Sequence, residues 1–301
     1  MNHLAAGATL LLVGYGCALA DGPQNRSATV PADDPKRLIL TYKQYASIRH
    51  DVPYVLEFKT AKGALLLYGS RHVFDPGDPQ IADIQEEFKR FQPTAAYNEG
   101  GNPPTEKDLR TAVERYGESG LVRFLGRQQH LTVETFEPKR EDEVRELLKR
   151  YSAEQLKVFY VLRGSLTYRR SKRSASLDAY MKHALTDPFW KQNGLGGSPT
   201  TIDELEKSCA GLFGGFGDWR HVPEEWFDPT RSKHFTNEAS NDSGLIRDRH
   251  IFSVLVDRAK KGERVFAVIG ASHVPVLEPA LVAALGPPAR KRNGKSEAKQ
   301  G

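Results

Sequence analysis

The stretch VFAVIGASH at residues 265–273 decides the fold that this sequence can adopt. Its first five residues are all apolar, and helical patterns flank it at about residues 246–261 and 276–285. A short, continuous apolar run between two helices is typical of a strand that is buried on both faces of a parallel sheet. The pattern therefore predicts an α/β protein built around this strand.

Other strands and helices are predicted upstream of this unit. Strand patterns occur at residues 55–59, 64–68, 94–98 and 131–136, the first two as a β-hairpin. Helical patterns occur at residues 81–91, 106–115, 122–129, 141–150, 153–163, 177–185 and 202–213. Alternation of the two favours a mostly parallel central sheet covered by helices, and the long helical middle is interpreted as an insertion.

An irregular stretch at residues 214–241 separates the helical middle from the last helix–strand–helix unit. Its large aromatic residues include Trp219, Trp226, Phe227 and Phe235. Large aromatic side chains need apolar surface to pack against, so a plain linker is not expected to hold this many. We expect the stretch to pack on the body as a cover or a pocket wall.

The N-terminus resembles a secretory signal peptide. Residues 1–20 contain no Asp, Glu, Lys or Arg, and an apolar run extends from Leu4 to Val13. The small-x-small tripeptide at residues 18–20 precedes Asp21, as at a signal cleavage site. This pattern predicts export, to the periplasm or out of the cell.

Two further features belong to this end of the chain. Cys17 allows a lipoprotein, but Gly14 stands where lipid-attachment sequences favour Leu, so this alternative is the weaker one. Residues 21–36, rich in Pro, Asp, Asn and Ser, are predicted to be a linker. No later segment approaches the roughly 20 apolar residues of a transmembrane helix, so no transmembrane segment is expected.

The net charge of +5 comes mainly from the other end. Residues 290–301 contain five Lys or Arg and one Glu, and so supply +4 of it. The rest of the chain is close to neutral, which argues against a nucleic-acid partner. Residues 287–301 are predicted to be a disordered basic tail, and residues 37–286 to be the α/β domain.

Cys209 is the only cysteine left if the signal peptide is removed. A single cysteine cannot form an intramolecular disulfide or a cysteine-rich zinc site. It lies in a helical pattern with Leu205, Leu212 and Phe213, which favours a buried small apolar residue over a nucleophile.

A Gly-x-x-His motif occurs twice, as GSRH at residues 69–72 and as GASH at residues 270–273. In each case an apolar strand ends at glycine, which gives access to backbone conformations closed to other residues. His72 and His273 then lie just beyond the carboxyl ends of strands, the edge at which open α/β sheets bind ligands. Each histidine alone could merely cap a turn, but their equivalent positions favour a functional site.

Two carboxylates also fall at or near strand ends. Glu99 follows a predicted strand and precedes Gly100 and Gly101, which permit close approach of a ligand. Glu134 lies within the predicted strand at residues 131–136. A carboxylate in a covered sheet is costly unless it is paired or bound to a metal, so both are site candidates, Glu99 the better one. The alternative for each is a surface charge or a structural ion pair.

Arg247 adds an argument from helical geometry. The apolar stripe of the helix at residues 246–261 includes Ile251 and Val254, and at about 100° per residue Arg247 projects between them. An arginine on the buried face of a helix pairs with a carboxylate or binds an anionic group. His250 lies at the edge of the same face and is a weaker candidate.

These motifs together resemble the TraB/Tiki superfamily, which is related to the ChaN-like and erythromycin-esterase-like proteins. The matching positions are residues 69–72, Glu99, Arg247 and residues 270–273, within a resemblance that covers about residues 50–285. The resemblance implies an α/β core with helical insertions. It also implies metal-dependent proteolysis or His/Glu-based ester hydrolysis in some members, and ligand binding or sequestration in others.

On this basis His72 and His273 are expected to hold a divalent metal, with Glu99 as third ligand or general base. Glu134 is a further catalytic candidate, and Arg247 is expected to stabilise an oxyanion or hold a substrate carboxylate. Imidazole and carboxylate ligands suit Mn, Co, Zn or Fe. Without a metal, one histidine would itself be the base that activates water.

The function expected from the sequence is thus an exported metal-dependent hydrolase that acts on a peptide or ester bond. The alternative is a non-catalytic protein that binds or sequesters haem, a peptide or a metal in the same pocket. A structural domain, in which the two histidines pack or cap turns, is the third and weakest hypothesis.

Overall fold

A computed structural model describes residues 33–170, 176–197 and 199–294 of the chain, with the side chain of residue 170 left out. The predicted signal peptide, residue 17 included, and the predicted linker up to residue 32 lie outside the described residues. The last part of the predicted tail, residues 295–301, lies outside them too. From Pro35 onward the described chain forms one compact unit.

A six-stranded sheet occupies the centre of this unit, in the order β4-β3-β5-β2-β1-β6. The strands are β1 (Tyr54–Lys59), β2 (Ala64–Ser70), β3 (Ala95–Asn98), β4 (Val133–Thr135), β5 (Arg264–Gly270) and β6 (Arg290–Asn293). β2, β5, β3 and β4 are parallel, whereas β1 is antiparallel to both β2 and β6. The prediction of a mostly parallel α/β sheet is confirmed.

Helices surround the sheet and form the middle of the chain. They are α1 (Tyr42–Tyr45), α2 (Pro79–Phe91), α3 (Leu109–Gln128), α4 (Arg140–Leu147), α5 (Ala153–Arg170), α6 (Leu177–Leu185), α7 (Pro188–Gln192), α8 (Ile202–Leu212), α9 (Phe235–Lys260) and α10 (His273–Leu285). Short 3-10 turns occur at Pro35–Leu38, Trp219–His221 and Glu224–Phe227. Local signals start the helices: Asp78, for example, accepts a hydrogen bond from the backbone of Gln80 at the N-terminus of α2.

The apolar run that predicted the central strand is buried on both faces. Phe266 and Val268 of β5 belong to a core formed with α2 and α3, whereas Ala267 and Ile269 belong to a core formed with α9 and α10. A strand covered on both sides has no solvent-facing positions, and this explains why its sequence lacks polar alternation.

The connections leave a crevice at the carboxyl edge of the sheet. The chain passes from β2 to α2 on one face, and from β5 to α10 on the opposite face. β2 and β5 are parallel neighbours, so the chain leaves the two strands toward opposite faces of the sheet and a crevice opens between them. Such a switch point is where α/β sheets bind ligands. Both Gly-x-x-His motifs begin within these two strands.

The helical middle has a core of its own, formed mainly by α4 to α8 and the 3-10 turns at Trp219–His221 and Glu224–Phe227. Trp219 and Phe227 are buried in it, so the aromatic stretch packs on the body as predicted. Cys209 is buried there too, and burial raises the pKa of its thiol to about 12. A thiol that stays protonated at neutral pH is a poor nucleophile, in agreement with the sequence interpretation.

α9 begins at Phe235, eleven residues before the predicted start at 246, so the prediction of irregular chain was wrong for residues 235–241. This first part of the helix contains Asn237, Ser240 and Asn241, residue types that favour caps and turns over helices. Tertiary packing overrides that preference, because α9 joins the core of the helical middle to the core of the sheet.

The predicted disordered tail is also corrected, because Arg290–Asn293 forms β6 and pairs with β1. Arg292 donates a 2.7 Å hydrogen bond to Asp83 of α2, and Arg290 contacts Glu87 of the same helix. These ion pairs with α2 hold the basic residues in a strand, whereas the sequence pattern alone indicates a solvated charge run. Across the described ranges, no helix is long and apolar enough to span a membrane.

Candidate active site

Three of the predicted site residues meet at Gly270, the last residue of β5. A Cβ atom placed on Gly270 would lie 3.3 Å from Glu99 Oε2, 3.4 Å from His72 Nε2 and 3.7 Å from His273 Cδ2. His72 follows β2, Glu99 follows β3, and His273 is the first residue of α10. We refer to His72, Glu99 and His273 as the Gly270 cluster.

The glycines of the two motifs provide space. Neither Gly69 nor Gly270 has a left-handed backbone conformation, so the expectation that their backbone freedom matters was wrong. A Cβ on Gly69 would lie only 2.7 Å from Val274 Cγ2 and 2.9 Å from the carbonyl oxygen of Tyr54. A Cβ on Gly270 would enter the cluster itself. Glycine is therefore required at residue 69 because β1 and α10 approach it closely, and at residue 270 because the cluster side chains surround it.

His72 is held from the side away from the cluster. Its Nδ1–H donates to Oε1 of Glu118 at 2.5 Å, and Oε2 of Glu118 accepts from the backbone of Val73 at 3.4 Å. The hydrogen bond with Glu118 raises the pKa of His72. The His72 side chain is 63% exposed. With Nδ1 engaged, Nε2 is the nitrogen that faces Gly270.

A break in α3 makes this contact possible. Gly117 has φ 59° and ψ −145° inside the helix, where the predicted helices at 106–115 and 122–129 are joined. The next residue, Glu118, bonds His72, and Ser119 Oγ donates to the carbonyl oxygen of Glu99 at 2.6 Å. The kink thus turns two consecutive side chains toward the cluster.

His273 is held by a buried carboxylate on the opposite side. Its Nδ1 lies 2.6 Å from Oδ1 of Asp248, and the hydroxyl of Tyr42 donates to Oδ2 at 3.1 Å. Burial disfavours the charged imidazole, but Asp248 outweighs it and raises the pKa of His273. Burial and Asp248 together raise the pKa of Tyr42.

Glu99 lies between the histidines and Arg247. Its Oε1 is 3.0 Å from Arg247 Nη2, and its Oε2 accepts from the backbone of Gly270 at 2.6 Å. His273 Nε2 lies 3.7 Å from Oε1. Burial alone would raise the pKa of Glu99, but His273 and Arg247 lower it to about 2. Glu99 is therefore an anion at neutral pH.

Arg247 lies on the buried side of α9, as the helical geometry predicts, and pairs with two carboxylates. Besides Glu99 it bonds Glu137, from Nε at 2.8 Å and from Nη2 at 2.7 Å. Burial opposes its charge, but Glu137 and Glu99 raise the pKa of Arg247 well above the usual value. The guanidinium group links the chain beyond β4 to the chain beyond β3.

Glu134 lies in a strand, as expected, but the structure does not bring it to the Gly270 cluster. Glu134 lies within β4, is half exposed, and faces Arg258 at 3.5 Å. The strand ends at residue 135, so Glu137, two residues beyond, occupies the carboxyl edge instead. His250 is exposed on α9 and lines a depression beside Glu134, away from the cluster.

Sequence reasoning missed four supporting residues: Tyr42, Glu118, Glu137 and Asp248. Asp248 carried a usable signal, because a charged residue falls on the apolar stripe of α9, one turn before Ile251 and Phe252. Tyr42 carried none, since it is 206 residues away from Asp248 in the chain. Pairings over such distances follow from the fold and not from local pattern.

A cavity of about 300 Å³ opens beside the cluster. It is lined by His72, Phe74, Glu99, Gly100, Pro103, Tyr116, Glu118 and Ser119. A larger cavity of about 750 Å³ lies farther along the same edge, against β1 and β6. It contains Arg71 and Arg292 but no residue of the Gly270 cluster.

Comparisons of the chain with known protein families, with curated proteins and with solved structures found no match.

Proposed function

We propose that this chain is a hydrolase that cleaves a peptide or ester bond at the Gly270 cluster. One observation carries the proposal: two histidines, each with Nδ1 against a carboxylate, meet an ionised glutamate in the crevice between β2 and β5. Carboxylate–histidine pairs that expose Nε2 occur where imidazole acts as a base or as a metal ligand. The resemblance to the TraB/Tiki superfamily supports the same class of reaction.

In the metal-free form of this proposal, His72 is the group that accepts a proton from water, whereas a bound metal would occupy the same Nε2 atom. Its ring is open to the cavity, and Glu118 both fixes its tautomer and stabilises its charged form. Glu99 is a weak base with a pKa of about 2, so we assign it an electrostatic or ligand role instead.

Arg247 is assigned to positioning. Its Nε and Nη2 are engaged by Glu99 and Glu137, so these donors do not meet a developing oxyanion. The ion pair instead holds the Glu99 carboxylate against Gly270 and neutralises part of its charge.

A divalent metal held by His72, His273 and Glu99 is part of the proposal. Two imidazoles and one carboxylate suit Mn, Co or Zn, and the carboxylates on both Nδ1 atoms match the outer partners of metal-bound histidines. In the described part of the chain, no group of three or more His, Cys, Asp or Glu side chains is already arranged to bind a metal ion. Bound there, a metal would polarise the substrate carbonyl and lower the pKa of a water molecule.

The test measures metal content and turnover in the same preparations. The full chain is loaded with Mn, Co or Zn, analysed for bound metal, and assayed on peptide and ester libraries as wild type, His72→Ala and His273→Ala. The matched control is His250→Ala, an exposed histidine outside the cluster. We expect about one metal ion per chain and turnover in wild type and control, and loss of both in the cluster variants.

Three other outcomes change the assignment. Turnover without metal, lost in His72→Ala, would leave a metal-free hydrolase. Metal bound tightly with no turnover would favour the alternative function, a protein that binds or sequesters a ligand. Full turnover in both cluster variants would exclude the hydrolase site.

We further propose that the protein is exported, on the basis of residues 1–20. N-terminal sequencing of the protein recovered outside the cytoplasm should begin at Asp21. Recovery of an intact Met1 N-terminus only from the cytoplasm would contradict export.

A further inference from the structure

The cavity beside the Gly270 cluster has an apolar side that the hydrolytic chemistry does not use. Phe74, Pro103 and Tyr116 line the same 300 Å³ as His72 and Glu99. Phe74 is 58% exposed and is one of three large hydrophobic residues exposed in the described chain. An aromatic ring left open at a cavity gains free energy when a ligand covers it.

The position of the Phe74 ring follows from the kink in α3. Phe74 lies two residues beyond His72, and its ring is 3.6 Å from the point where a Cβ on Gly117 would lie. The helix backs one side of the ring, and the other side faces the cavity. The same kink that brings Glu118 to His72 therefore presents an aromatic surface next to that histidine.

The charges of the cavity disfavour an anionic ligand. None of its lining residues is Lys or Arg. Its two carboxylates already have partners, since Glu118 pairs with His72 and Glu99 pairs with Arg247. An acidic group would meet two carboxylates and no unpaired cation, whereas an uncharged apolar group would meet Phe74.

We propose that Phe74, with Pro103 and Tyr116, forms an apolar subsite for an aromatic or branched aliphatic group of the substrate, next to the scissile bond. This inference rests on the proposed hydrolase function. It makes Phe74 a specificity-determining residue and predicts discrimination against acidic substrates.

The turnover test uses the 4-nitrophenyl esters of acetic, phenylacetic and succinic acid, the last as its free acid. The rate without enzyme is first subtracted for each ester, because the free carboxylate of the succinyl ester attacks its own ester bond. The resulting kcat/KM is then divided by the rate with hydroxide, which corrects for the differing reactivity of the esters. In wild type we expect the phenylacetyl ester to exceed the acetyl ester by about tenfold, and the succinyl ester to be the poorest. Phe74→Ala should reduce the advantage to about twofold, and Phe74→Leu should retain most of it.

The control variant is Leu38→Ala, which removes an exposed apolar side chain outside the cavity and should leave the ratios unchanged. A second arm measures binding of phenylacetamide, acetamide and succinamate to the full chain by ligand-observed NMR. Phenylacetamide should bind at least about fivefold more tightly to wild type than to Phe74→Ala.

The two arms separate this inference from the proposed function. Phenylacetamide binding that depends on Phe74, with no ester turnover, supports the subsite and argues against the hydrolase. Turnover with equal ratios in wild type and Phe74→Ala overturns the subsite and leaves the hydrolase. A preference for the succinyl ester overturns it as well and points to the neighbouring cavity with Arg71 and Arg292. Absence of both binding and turnover would also overturn the subsite.

Discussion

The two histidine–carboxylate pairs of the Gly270 cluster are built from the same motif but differ in their surroundings. His72 belongs to a loop and is 63% exposed, whereas His273 begins a helix and is 8% exposed. Glu118, the partner of His72, is bonded to one ring and one backbone amide. Asp248, the partner of His273, is completely buried and also bonded to Tyr42.

This difference assigns unequal roles to the two motifs. An exposed imidazole can exchange protons with solvent and substrate, and its ion pair contributes little to stability. A buried ion pair contributes little net stability either, but loss of one partner leaves an uncompensated charge in the core. We therefore expect changes at Asp248 to act on folding and changes at Glu118 to act on activity.

Asp248→Ala is expected to have the largest effect. Removal of the carboxylate leaves His273 buried without its partner, and the free energy of unfolding should fall by about 3 kcal/mol. Urea denaturation of the full chain measures this change. Asp257→Ala, on the exposed face of the same helix and paired with Lys261, should change it by only about 0.5 kcal/mol. Equal effects of the two variants would remove the distinction between the pairs.

Gly117→Ala should disturb the exposed pair through the backbone. The residue has φ 59° and ψ −145°, and its new Cβ would lie 2.9 Å from the carbonyl oxygen of Val73. We expect a loss of about 2 kcal/mol in the free energy of unfolding, together with reduced activity, because Glu118 and Ser119 would move. Gly211→Ala in α8, where the Cβ meets open space, should be neutral or stabilising. A fully active, equally stable Gly117→Ala protein would contradict the proposed role of the kink.

Glu118→Gln should separate activity from stability. The amide oxygen can still accept from Nδ1–H of His72, but it no longer stabilises the charged ring. We expect activity to fall by about tenfold while the urea midpoint stays close to that of wild type. Glu114→Gln, exposed on the same helix and paired with Arg110, is the control and should keep full activity. A large loss of stability in Glu118→Gln would mean that the exposed pair also has a structural role.

Tyr42→Phe is the mildest change and concerns only the buried pair. It removes one hydrogen bond to Asp248 and keeps the ring, so the free energy of unfolding should fall by about 1 kcal/mol. Denaturant titration would detect this, and kcat/KM measured below the unfolding transition should be unchanged. A loss of activity without loss of stability would give Tyr42 a direct part in the chemistry.

The fold class could be predicted from sequence because its signal is local. The apolar run of β5 and the repeated strand–Gly-x-x-His pattern describe a covered parallel sheet without reference to distant residues. β6 could not be predicted, because Arg292 is held by Asp83, 209 residues away in the chain. The start of α9 could not be predicted for a related reason, because its polar residues form their contacts with distant parts of the chain.

The site was predictable in part, on the same physical grounds. His72, Glu99 and His273 follow parallel strands, so one sheet edge brings them together, and Arg247 was found from helix periodicity. Glu134 was a wrong site candidate because it lies inside β4, half exposed and against Arg258, and not beyond the carboxyl end of the strand. The carboxylates that hold the two histidines come from α3 and α9, and only packing reveals those contacts.

The strand β6 also affects how molecules of this protein meet one another. Without it, β1 would present six residues, five of them buried, as a free edge able to pair with a second copy. With it, the sheet ends in four residues that include three basic ones, and the opposite edge, β4, is only three residues long. Short charged edges resist sheet-to-sheet association, so the basic residues of β6, whose sequence resembles a solvated tail, disfavour aggregation.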